Sequence, residues 1–375
     1  MRGYYIHPGS KKVFSGVDKK IRMQMEEFAK LGDIQEIVVE KENSNLFKSI
    51  CWRLPGGSFG RNYDAALQEI EGSGTPEYIY IRHFFFDRRV IRFLTELRRR
   101  YAEAKIIYEI PTFPYKNELL SNIEMLPWYF KDIVYRKKLK QVVDRVVTYS
   151  DDEYIYGIPV IRTTNGIDVE SIPMVESTNN DCIDIVAVGQ FQRAHGYERI
   201  ICSLAEYVNA GEERERVHLH MVGDGRELPY YKKIAKELDI NDYVTFYGYC
   251  EGEQLDAVYD EADIALGCFG AYKNGLKALS SLKMCEYIAR GLPIVSACPE
   301  NAFRGAECDF YLEFPNDNSK ISMKRIIEWY NDINKKYNDK LSMCKTIRNY
   351  AYDKVDMSKV MKVVIDYIQD DNIVN

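Results

Sequence analysis

The 375-residue sequence has no C-x-x-C pair, no long apolar run and no excess of positive charge. Its nine cysteines are an odd number without zinc-site spacing, which indicates reduced thiols in a cytosolic protein. No stretch of about 18 uncharged apolar residues occurs, so we expect no membrane-spanning helix. Pro8 and Gly9 interrupt the first residues early, which argues against a signal peptide. The net charge of −6 leaves no basic excess to neutralise phosphates, which argues against general nucleic-acid binding.

What the sequence does contain is the composition of a folded protein, with 46% hydrophobic and 29% charged residues. A chain of this length exceeds the usual size of one hydrophobic core, so two domains are expected. Because the cysteines look reduced and no signal peptide or membrane-spanning helix is expected, we expect a protein that is cytoplasmic or peripheral on the inner face of the membrane.

Short apolar runs alternate with amphipathic segments along the chain, a pattern typical of parallel sheets with helices on both faces. The predicted strands are 36–40, 77–81, 105–110, 145–150, 184–189, 218–223, 243–248, 262–267 and 292–297. The predicted helices include 17–31, 87–103, 196–210, 227–238, 253–261 and 357–369. The fold class is therefore α/β, with two doubly wound parallel sheets. The polar segment 163–181 predicts the linker, which gives domains at 1–165 and 166–355 and a final segment, 356–375, expected to pack back on the first domain.

Four predicted strands of the second half end in glycine, at the edge where open parallel sheets bind ligands. These glycines are Gly189, Gly223, Gly248 and Gly267. Because glycine has no side chain, the backbone can approach a ligand closely at each position. Their common position favours a nucleotide-binding site.

The segments around these strand ends carry a family resemblance. They read VGQFQRAHGYERII (188–201), HLHMVGDGRELPYY (218–231), VTFYGYCEGEQLDAVYDEADIAL (244–266) and SSLKMCEYIARGLPIVSA (280–297). Together they resemble the donor-binding domain of family-4 glycosyltransferases, in the branch with an HGY(D/E)R segment. The first half is similar more loosely, through SGVDKKIRMQMEEFAKLG (15–32) and TTNGIDVESI (163–172). The resemblance implies the GT-B fold, in which two Rossmann-like domains face each other across a cleft, the first binding the acceptor and the second a nucleotide-sugar donor.

The resemblance also implies donor-binding residues. The helix that begins near Ser281 would direct its free N–H groups at the donor diphosphate, and Lys283 would add a positive charge. Glu286, about one turn further, is similar to the family glutamate that accepts hydrogen bonds from the ribose hydroxyls. For both side chains a solvated position on the helix surface is the alternative. The donor-binding positions implied are Gly16, Gln190, Arg193, His195, Gly223, Tyr249, Lys277, Ser281, Leu282, Lys283 and Glu286.

The sequence departs from the family pattern at three positions. Ala278 stands where an earlier glutamate usually lies near the sugar, so sugar contacts are expected from the preceding loop or from Lys277. Gln190 and His195 replace the usual phosphate-binding arginine and lysine. Arg193 is expected to supply the missing charge, and a neutral histidine can still donate a hydrogen bond. Either these changes are subfamily variation or the chain is a catalytically inactive copy.

In the first half the resemblance points to the ends of two predicted strands. Arg82 and His83 follow one strand, where many family members place a histidine facing the reacting sugar, and the sequence does not choose between them. Glu109 lies at the end of the next strand. A buried carboxylate is costly unless it is paired, so Glu109 is either an acceptor-site residue or part of a structural ion pair. The backbone of Gly16 is expected to approach the donor phosphates, unless Gly16 is a plain turn glycine.

The function implied is a retaining glycosyltransferase in cell-surface polysaccharide biosynthesis. It would move a hexosyl or N-acetylhexosaminyl group from a nucleotide-diphosphate donor, expected to be a UDP-sugar, to a growing, lipid-linked glycan. The leaving phosphate can take the acceptor proton, which would explain why no general base stands out. No D-x-D motif follows a predicted strand, so neither a metal nor another cofactor is expected. A degenerate GT-B accessory subunit that stabilises an active partner and a sugar-nucleotide epimerase of the same fold are the alternatives.

Two segments of the first half combine cations with large apolar residues, although the chain is acidic overall. They are FFFDRRVIRFLTELRRRY (84–101) and LPWYFKDIVYRKKLK (126–140). Such helices can bind anionic lipid, with about 1 kcal/mol gained per cation near the surface. Either the two segments contact an anionic membrane, which suits a lipid-linked acceptor, or they are solvated helix faces whose apolar sides lie in the core.

Overall fold

The computed structural model describes residues 1–9, 16–43, 45, 50–52, 54, 57–58, 60–120, 125–176, 181–210, 215–337 and 339–370. By its internal contacts the chain divides into two compact units. The first unit contains Met1–Thr164 and Met357–Asn375, and the second contains Asn165–Asp356. No helix among the described residues is long and apolar enough to span a bilayer.

The first unit is built around a seven-stranded sheet in the order β2-β1-β3-β4-β5-β7-β6. Its strands are β1 (Arg2–Pro8), β2 (Asp33–Val39), β3 (Tyr78–Arg82), β4 (Lys105–Ile110), β5 (Arg145–Thr148), β6 (Tyr154–Ile155) and β7 (Ile158–Arg162). Neighbouring strands run parallel except β6, which pairs antiparallel with β7. The helices before the second unit include α1 (Gly16–Ala29), α2 (Tyr63–Glu71), α3 (Arg88–Arg100), α4 (Lys116–Leu120) and α5 (Leu126–Tyr135), with a 3₁₀ turn at Arg136–Gln141.

Alternation along the strands fills an apolar cluster on each face of this sheet. In β3, Ile79 and Ile81 belong to one cluster, and Tyr78 and Tyr80 belong to the other. Successive side chains of a strand point to opposite faces, so the same strands supply both clusters. Burial on both faces is typical of a parallel sheet covered by helices.

The second unit is built around a six-stranded, fully parallel sheet in the order β10-β9-β8-β11-β12-β13. Its strands are β8 (Cys182–Val188), β9 (Arg216–Val222), β10 (Val244–Gly248), β11 (Ile264–Leu266), β12 (Ile294–Ser296) and β13 (Tyr311–Glu313). Its helices are α6 (Glu198–Asn209), α7 (Leu228–Glu237), α8 (Glu253–Glu261), α9 (Leu282–Arg290), α10 (Met323–Lys336) and α11 (Lys340–Lys354). Counted within this unit, the strand order is 3-2-1-4-5-6, the doubly wound order of Rossmann-type sheets.

The last helix, α12 (Met357–Gln369), packs on the sheet of the first unit although it follows the second unit in the chain. Met357 and Val364, two turns apart, lie on its buried face. Lys105 Nζ donates to the backbone carbonyl oxygen of Tyr367 at 3.0 Å. A lysine at a helix end satisfies carbonyl groups that have no partner within the helix, so this contact fixes the end of α12.

Candidate functional site

The second sheet reverses its strand order between β8 and β11, and such a point leaves a crevice where ligands bind beyond the carboxyl ends of the strands. Gly189 and Gly267 directly follow these two strands. Helix α9 begins beside the crevice, because Lys283 in its first turn contacts Gly267. Two glycines and the start of one helix therefore border the crevice.

The N-terminus of α9 offers backbone donors that no group in the described ranges of the chain uses. The N–H groups of Leu282, Lys283 and Met284 make no hydrogen bond to another described residue. Cys285 is the first to donate along the helix, to the Ser281 carbonyl oxygen at 3.4 Å. Ser281 itself precedes the helix in an extended conformation, with φ −102° and ψ 137°. Free N–H groups and the helix dipole make this end suitable for an anion.

Lys283 lies at the crevice and not on the outer face of α9. Its Nζ donates to the Tyr197 hydroxyl at 2.9 Å and to the Gly267 carbonyl oxygen at 3.0 Å. The same Nζ is 5.2 Å from the centre of the Tyr197 ring. Both hydrogen-bond partners are neutral, and Lys283 has no ion pair with any residue that the structure describes. Its positive charge is therefore available to an anionic ligand.

His195 lies on the Tyr197 ring next to Lys283. The two rings stack with their centres 5.5 Å apart and 6° between their planes. Burial, reinforced by the charge of Lys283, lowers the pKa of His195 to about 2, so the ring is neutral. Its Nδ1 lies 2.9 Å from the Gln192 nitrogen and accepts that N–H, which leaves the ring proton on Nε2. His195 therefore keeps one N–H donor that no described residue uses.

Two glycines in this region are required by the backbone. Gly223 has φ +129°, and a Cβ atom there would lie 2.0 Å from the Gly189 carbonyl oxygen. Gly196 has φ +62°, and its Cβ atom would lie 2.5 Å from the Gly270 nitrogen. A larger residue at either position would separate two loops at the strand ends. Backbone packing alone thus explains Gly223, and its predicted contact with a donor stays a prediction.

Glu286 is held by an arginine on one side and is open to solvent on the other. Its carboxylate accepts from Arg290 Nε at 3.2 Å, and its side chain is 25% exposed. Arg290 also donates to Asp256 at 2.7 Å and lies 3.9 Å from the centre of the Tyr259 ring. These contacts orient the Glu286 carboxylate and leave part of it accessible. Its bond to a ribose stays a prediction.

The remaining predicted positions of the second unit are exposed loop residues. They are Gln190, Arg193, Tyr249 and Lys277. The side chain of Arg193 has no hydrogen bond or ion pair with the residues that the structure describes. Tyr249 is 74% exposed and donates to Glu251 at 2.6 Å. Exposure leaves all four able to meet a ligand, and their roles stay predictions.

A residue that the sequence analysis missed, Glu300, lies against the start of α9. Its side chain is buried, and its carboxylate accepts from the Ser281 N–H at 3.3 Å and from the Ser281 hydroxyl at 2.8 Å. Burial raises the pKa of Glu300 to about 7, although these hydrogen bonds and the charge of Lys283 act in the opposite direction. The sequence signal is weak, because a single glutamate after a strand is ordinary.

In the first unit, Glu109 is the centre of a buried ion-pair cluster. Its carboxylate lies 3.0 Å from Lys20 Nζ and 3.0 Å from Arg82 Nη1, and its side chain is fully buried. It also accepts from Gln24 at 3.3 Å and from the Tyr149 hydroxyl at 2.9 Å. Burial opposes ionisation of Glu109, but Arg82 and Lys20 outweigh it and lower the pKa of the carboxyl. Of the two hypotheses for Glu109, these contacts favour the structural ion pair.

Arg82 and His83 lie where the first sheet reverses its strand order, at the end of β3 beside β1. Both ring nitrogens of His83 are buried and lack a hydrogen-bond partner among the described residues. Burial and the charge of Arg82 lower the pKa of His83 to about 3. The ring packs on Phe86 and Tyr115, with ring centres 5.6 and 5.0 Å away. Arg82 is therefore engaged by Glu109, whereas His83 lies among aromatic rings, and which of the two residues faces a substrate stays a prediction.

Gly16 is the first residue of α1. A Cβ atom added to it would meet no described atom within 4 Å. Contacts within the described chain therefore do not demand glycine here, and its predicted approach to a phosphate stays a prediction.

Residues 168–352 match the sequence profile of the family described as Glycosyl transferases group 1. This range lies within the second unit and contains the crevice, helix α9 and Glu300. No curated protein sequence matches the chain.

Solved structures are similar over almost the whole chain. The lipopolysaccharide outer core galactosyltransferase WaaB, in its apo form, has a TM-score of 0.62 at 12% identity, over 98% of this chain and 100% of that chain. Sucrose-phosphate synthase from Thermosynechococcus elongatus has a TM-score of 0.64 at 12% identity, over 98% of each chain. HepE from Anabaena in complex with UDP has a TM-score of 0.62 at 10% identity, over 98% of this chain and 99% of that chain. At such low identity the likeness shows the fold, which is GT-B, with two Rossmann-like parallel-sheet domains.

Proposed function

We propose that the chain is a retaining glycosyltransferase, of the family-4 branch with an HGY(D/E)R segment, that binds a nucleotide-sugar donor at the start of α9. At Leu282–Met284 the N–H groups have no hydrogen-bond partner among the described residues, and the Lys283 ammonium beside them has no ion pair there. Together they offer a diphosphate several hydrogen bonds and one full positive charge. The match of residues 168–352 to Glycosyl transferases group 1 supports the assignment.

The proposed donor is a UDP-sugar. Similar structures of Anabaena HepE contain UDP, UDP with glucose, and UDP-glucose. In this chain the accessible part of the Glu286 carboxylate is assigned to the ribose hydroxyls. Lys277 is assigned to the hexosyl or N-acetylhexosaminyl group, because Ala278 beside it offers no polar side chain.

The proposed reaction retains the configuration at the anomeric carbon. The acceptor hydroxyl oxygen bonds to that carbon on the face from which the nucleoside diphosphate departs. The bond from the carbon to the phosphate oxygen breaks, its electron pair stays on the phosphate, and the same phosphate takes the acceptor proton. The N–H groups of α9, Lys283 and Arg193 stabilise the developing charge, so the proposal includes neither a metal nor another cofactor.

The proposed acceptor is a lipid-linked glycan, and the two cationic segments differ in how they could meet its membrane. In segment 84–101, Arg98 pairs with Asp144 at 2.6 Å and Arg100 pairs with Glu96 at 2.6 Å. These cations are engaged within the first unit. Their contacts favour the hypothesis of a solvated helix face for this segment.

The segment 126–140 presents a different surface. Phe130 and Val134, one helical turn apart, are 63% and 60% exposed. Lys137 and Lys138 follow them, are exposed, and have no ion pair with any residue in the described part of the chain. Exposed apolar side chains beside unpaired cations suit a helix that lies on anionic lipid. We therefore place the proposed membrane contact, on the inner face, at this segment.

Calorimetric titration with UDP, GDP, ADP and CMP tests the donor site. We expect UDP to bind, and Lys283→Ala to weaken its binding by about 1.5–3 kcal/mol, the scale of hydrogen bonds to charged groups. Lys233→Ala, on the exposed face of α7, is the matched control and should bind UDP as the unaltered chain does. A folded chain that binds none of the four nucleotides would contradict the proposal and favour the accessory subunit. Conversion of a UDP-sugar into its epimer without any acceptor would favour the epimerase.

A further inference from the structure

A buried carboxyl group occupies a position beside the proposed phosphate site. Glu300 is 3% exposed, and both its oxygens receive hydrogens from Ser281, the residue that precedes α9. The backbone fixes this approach, because Leu279 pairs with Glu300 in a parallel bridge. The Leu279 N–H donates to the Pro299 carbonyl oxygen at 2.9 Å. The carboxyl group is therefore held against the start of the helix.

The charge state of Glu300 decides what the Ser281 hydroxyl can do. An ionised carboxylate only accepts, so it takes the hydroxyl hydrogen across the 2.8 Å contact. A protonated carboxyl can instead donate across the same contact. The Ser281 hydroxyl then has its own hydrogen free for another acceptor.

A diphosphate at the start of α9 would be such an acceptor. It would also place negative charge near Glu300, and like charges close together favour the protonated carboxyl. The other charged or titratable groups around Glu300 lie on helix α9, on strand β13 and in the loops after β11 and β12. They are Lys283, Cys268, Cys298, Tyr311 and Glu313. Lys283 is the cation of this set, and its Nζ donates to Tyr197 and Gly267 and not to Glu300.

We propose that Glu300 is a positioning residue for the donor diphosphate: in its protonated form it turns the Ser281 hydroxyl toward the phosphate, and in its ionised form it withdraws that hydrogen bond. This inference rests on the proposed donor site and adds a pH dependence to it. Glu300 acts through Ser281 and does not itself touch the donor.

The direction of the pH effect follows from linkage. The pKa of Glu300 is about 7 in the free chain, and a bound diphosphate raises it further. Binding therefore takes up a proton above neutral pH, and affinity falls as pH rises. With one proton at a pKa near 7, the affinity lost between pH 6 and pH 8 is at most about tenfold.

The experiment compares the unaltered chain with Glu300→Gln. Glutamine keeps an acceptor for the Ser281 N–H and offers an N–H to the Ser281 hydroxyl at every pH, so it imitates the protonated acid. Dissociation constants for UDP and for inorganic pyrophosphate are measured at pH 6, 7 and 8. Both proteins bind the same ligand, so the effect of the ligand's own titration cancels when one dissociation constant is divided by the other. Glu313→Gln, on strand β13, is the matched control, and its dissociation constants should change with pH as those of the unaltered chain do.

We expect the ratio of dissociation constants, unaltered chain over Glu300→Gln, to rise by up to about tenfold from pH 6 to pH 8. A ratio that stays constant overturns the role of Glu300 while leaving the donor site intact. If UDP binds no better than pyrophosphate, the proposed nucleotide site fails, and the pyrophosphate ratio still decides the role of Glu300. Absence of binding by both anions overturns both proposals. If Glu300→Gln does not fold, Ser281→Ala replaces it, and a pH dependence as large in that variant as in the unaltered chain contradicts the inference.

Discussion

The buried cluster around Glu109 gives the sharpest prediction about stability. Glu109→Gln removes one negative charge that faces two buried cations, Lys20 and Arg82, whose side chains are 3% and 11% exposed. Removing one partner of a buried ion pair costs about 3–5 kcal/mol, because the other partner stays buried without its counter-charge. Since glutamine keeps the shape and some hydrogen bonds, we expect a loss near about 3 kcal/mol.

The same cluster predicts a dependence on acid. The pKa of Glu109 in the folded chain lies below its ordinary value of 4.5. For a carboxyl with a lowered pKa, the stabilisation is complete above the unfolded-state pKa and is lost as pH falls through the folded one. The unaltered chain should therefore lose stability below about pH 4.5, and Glu109→Gln should lose less over that range.

The free energy of unfolding of the first unit is measured in urea, with hydrogen exchange in peptides from β3 and β4 as the probe. A local probe is needed because two units need not unfold in one step. Asp33→Asn is the control in the same unit: its pair with Arg2 is largely exposed and should contribute under about 1 kcal/mol. If Glu109→Gln keeps full stability and yet abolishes sugar transfer, the structural ion-pair hypothesis is wrong and Glu109 belongs to the acceptor site.

Three further outcomes are expected. Glu286→Ala should weaken UDP binding by about 1.5–3 kcal/mol in calorimetry without changing thermal unfolding, and unchanged affinity would remove the ribose assignment. Arg193→Ala should lower the transfer rate by an amount equivalent to about 3–4 kcal/mol while leaving stability unchanged, and near-normal turnover would make Arg193 a solvated cation. Replacing Phe130 and Val134 by Ser and Lys137 by Gln should abolish flotation with anionic vesicles at low salt, and equal flotation on neutral vesicles would contradict the lipid contact.

Segments with a strong local pattern are predicted well from the sequence. The predicted strand 105–110 and the predicted helix 253–261 agree with β4 and α8 to the residue. In β4 an apolar run is bounded by polar residues, and α8 starts directly after Gly252. Both signals are local, so no distant contact is needed to recognise them.

Segments whose structure depends on distant contacts are predicted poorly. No strand is predicted at β1 (Arg2–Pro8), because its sequence is rich in tyrosine and contains polar residues. Tyr4 and Tyr5 are nevertheless fully buried between the sheet and its helices. The predicted linker 163–181 likewise reads as polar, whereas Val169 and Val175 in it are buried in the core of the second unit.

The candidate site shows the same limit. Lys283 is recognisable from its place in a family motif, but its partner Tyr197 lies 86 residues earlier and no local pattern connects the two. Lys20 and Glu109 are 89 residues apart. Glu300 is close in sequence to Ser281, yet its carboxyl reaches the helix through the bridge at Leu279, which no local pattern indicates. Such contacts are set by the sheet topology, which the periodicity of single elements does not determine.

Amide hydrogen exchange at the start of α9 shows whether a diphosphate binds there. We expect saturating UDP to slow exchange at Leu282, Lys283 and Met284, whose N–H groups have no partner within the described chain. In Lys283→Ala the protection should require more UDP, because one charge of the site is gone. If UDP binds and these three amides exchange as fast as they do without it, the diphosphate lies elsewhere and the proposed donor site is wrong.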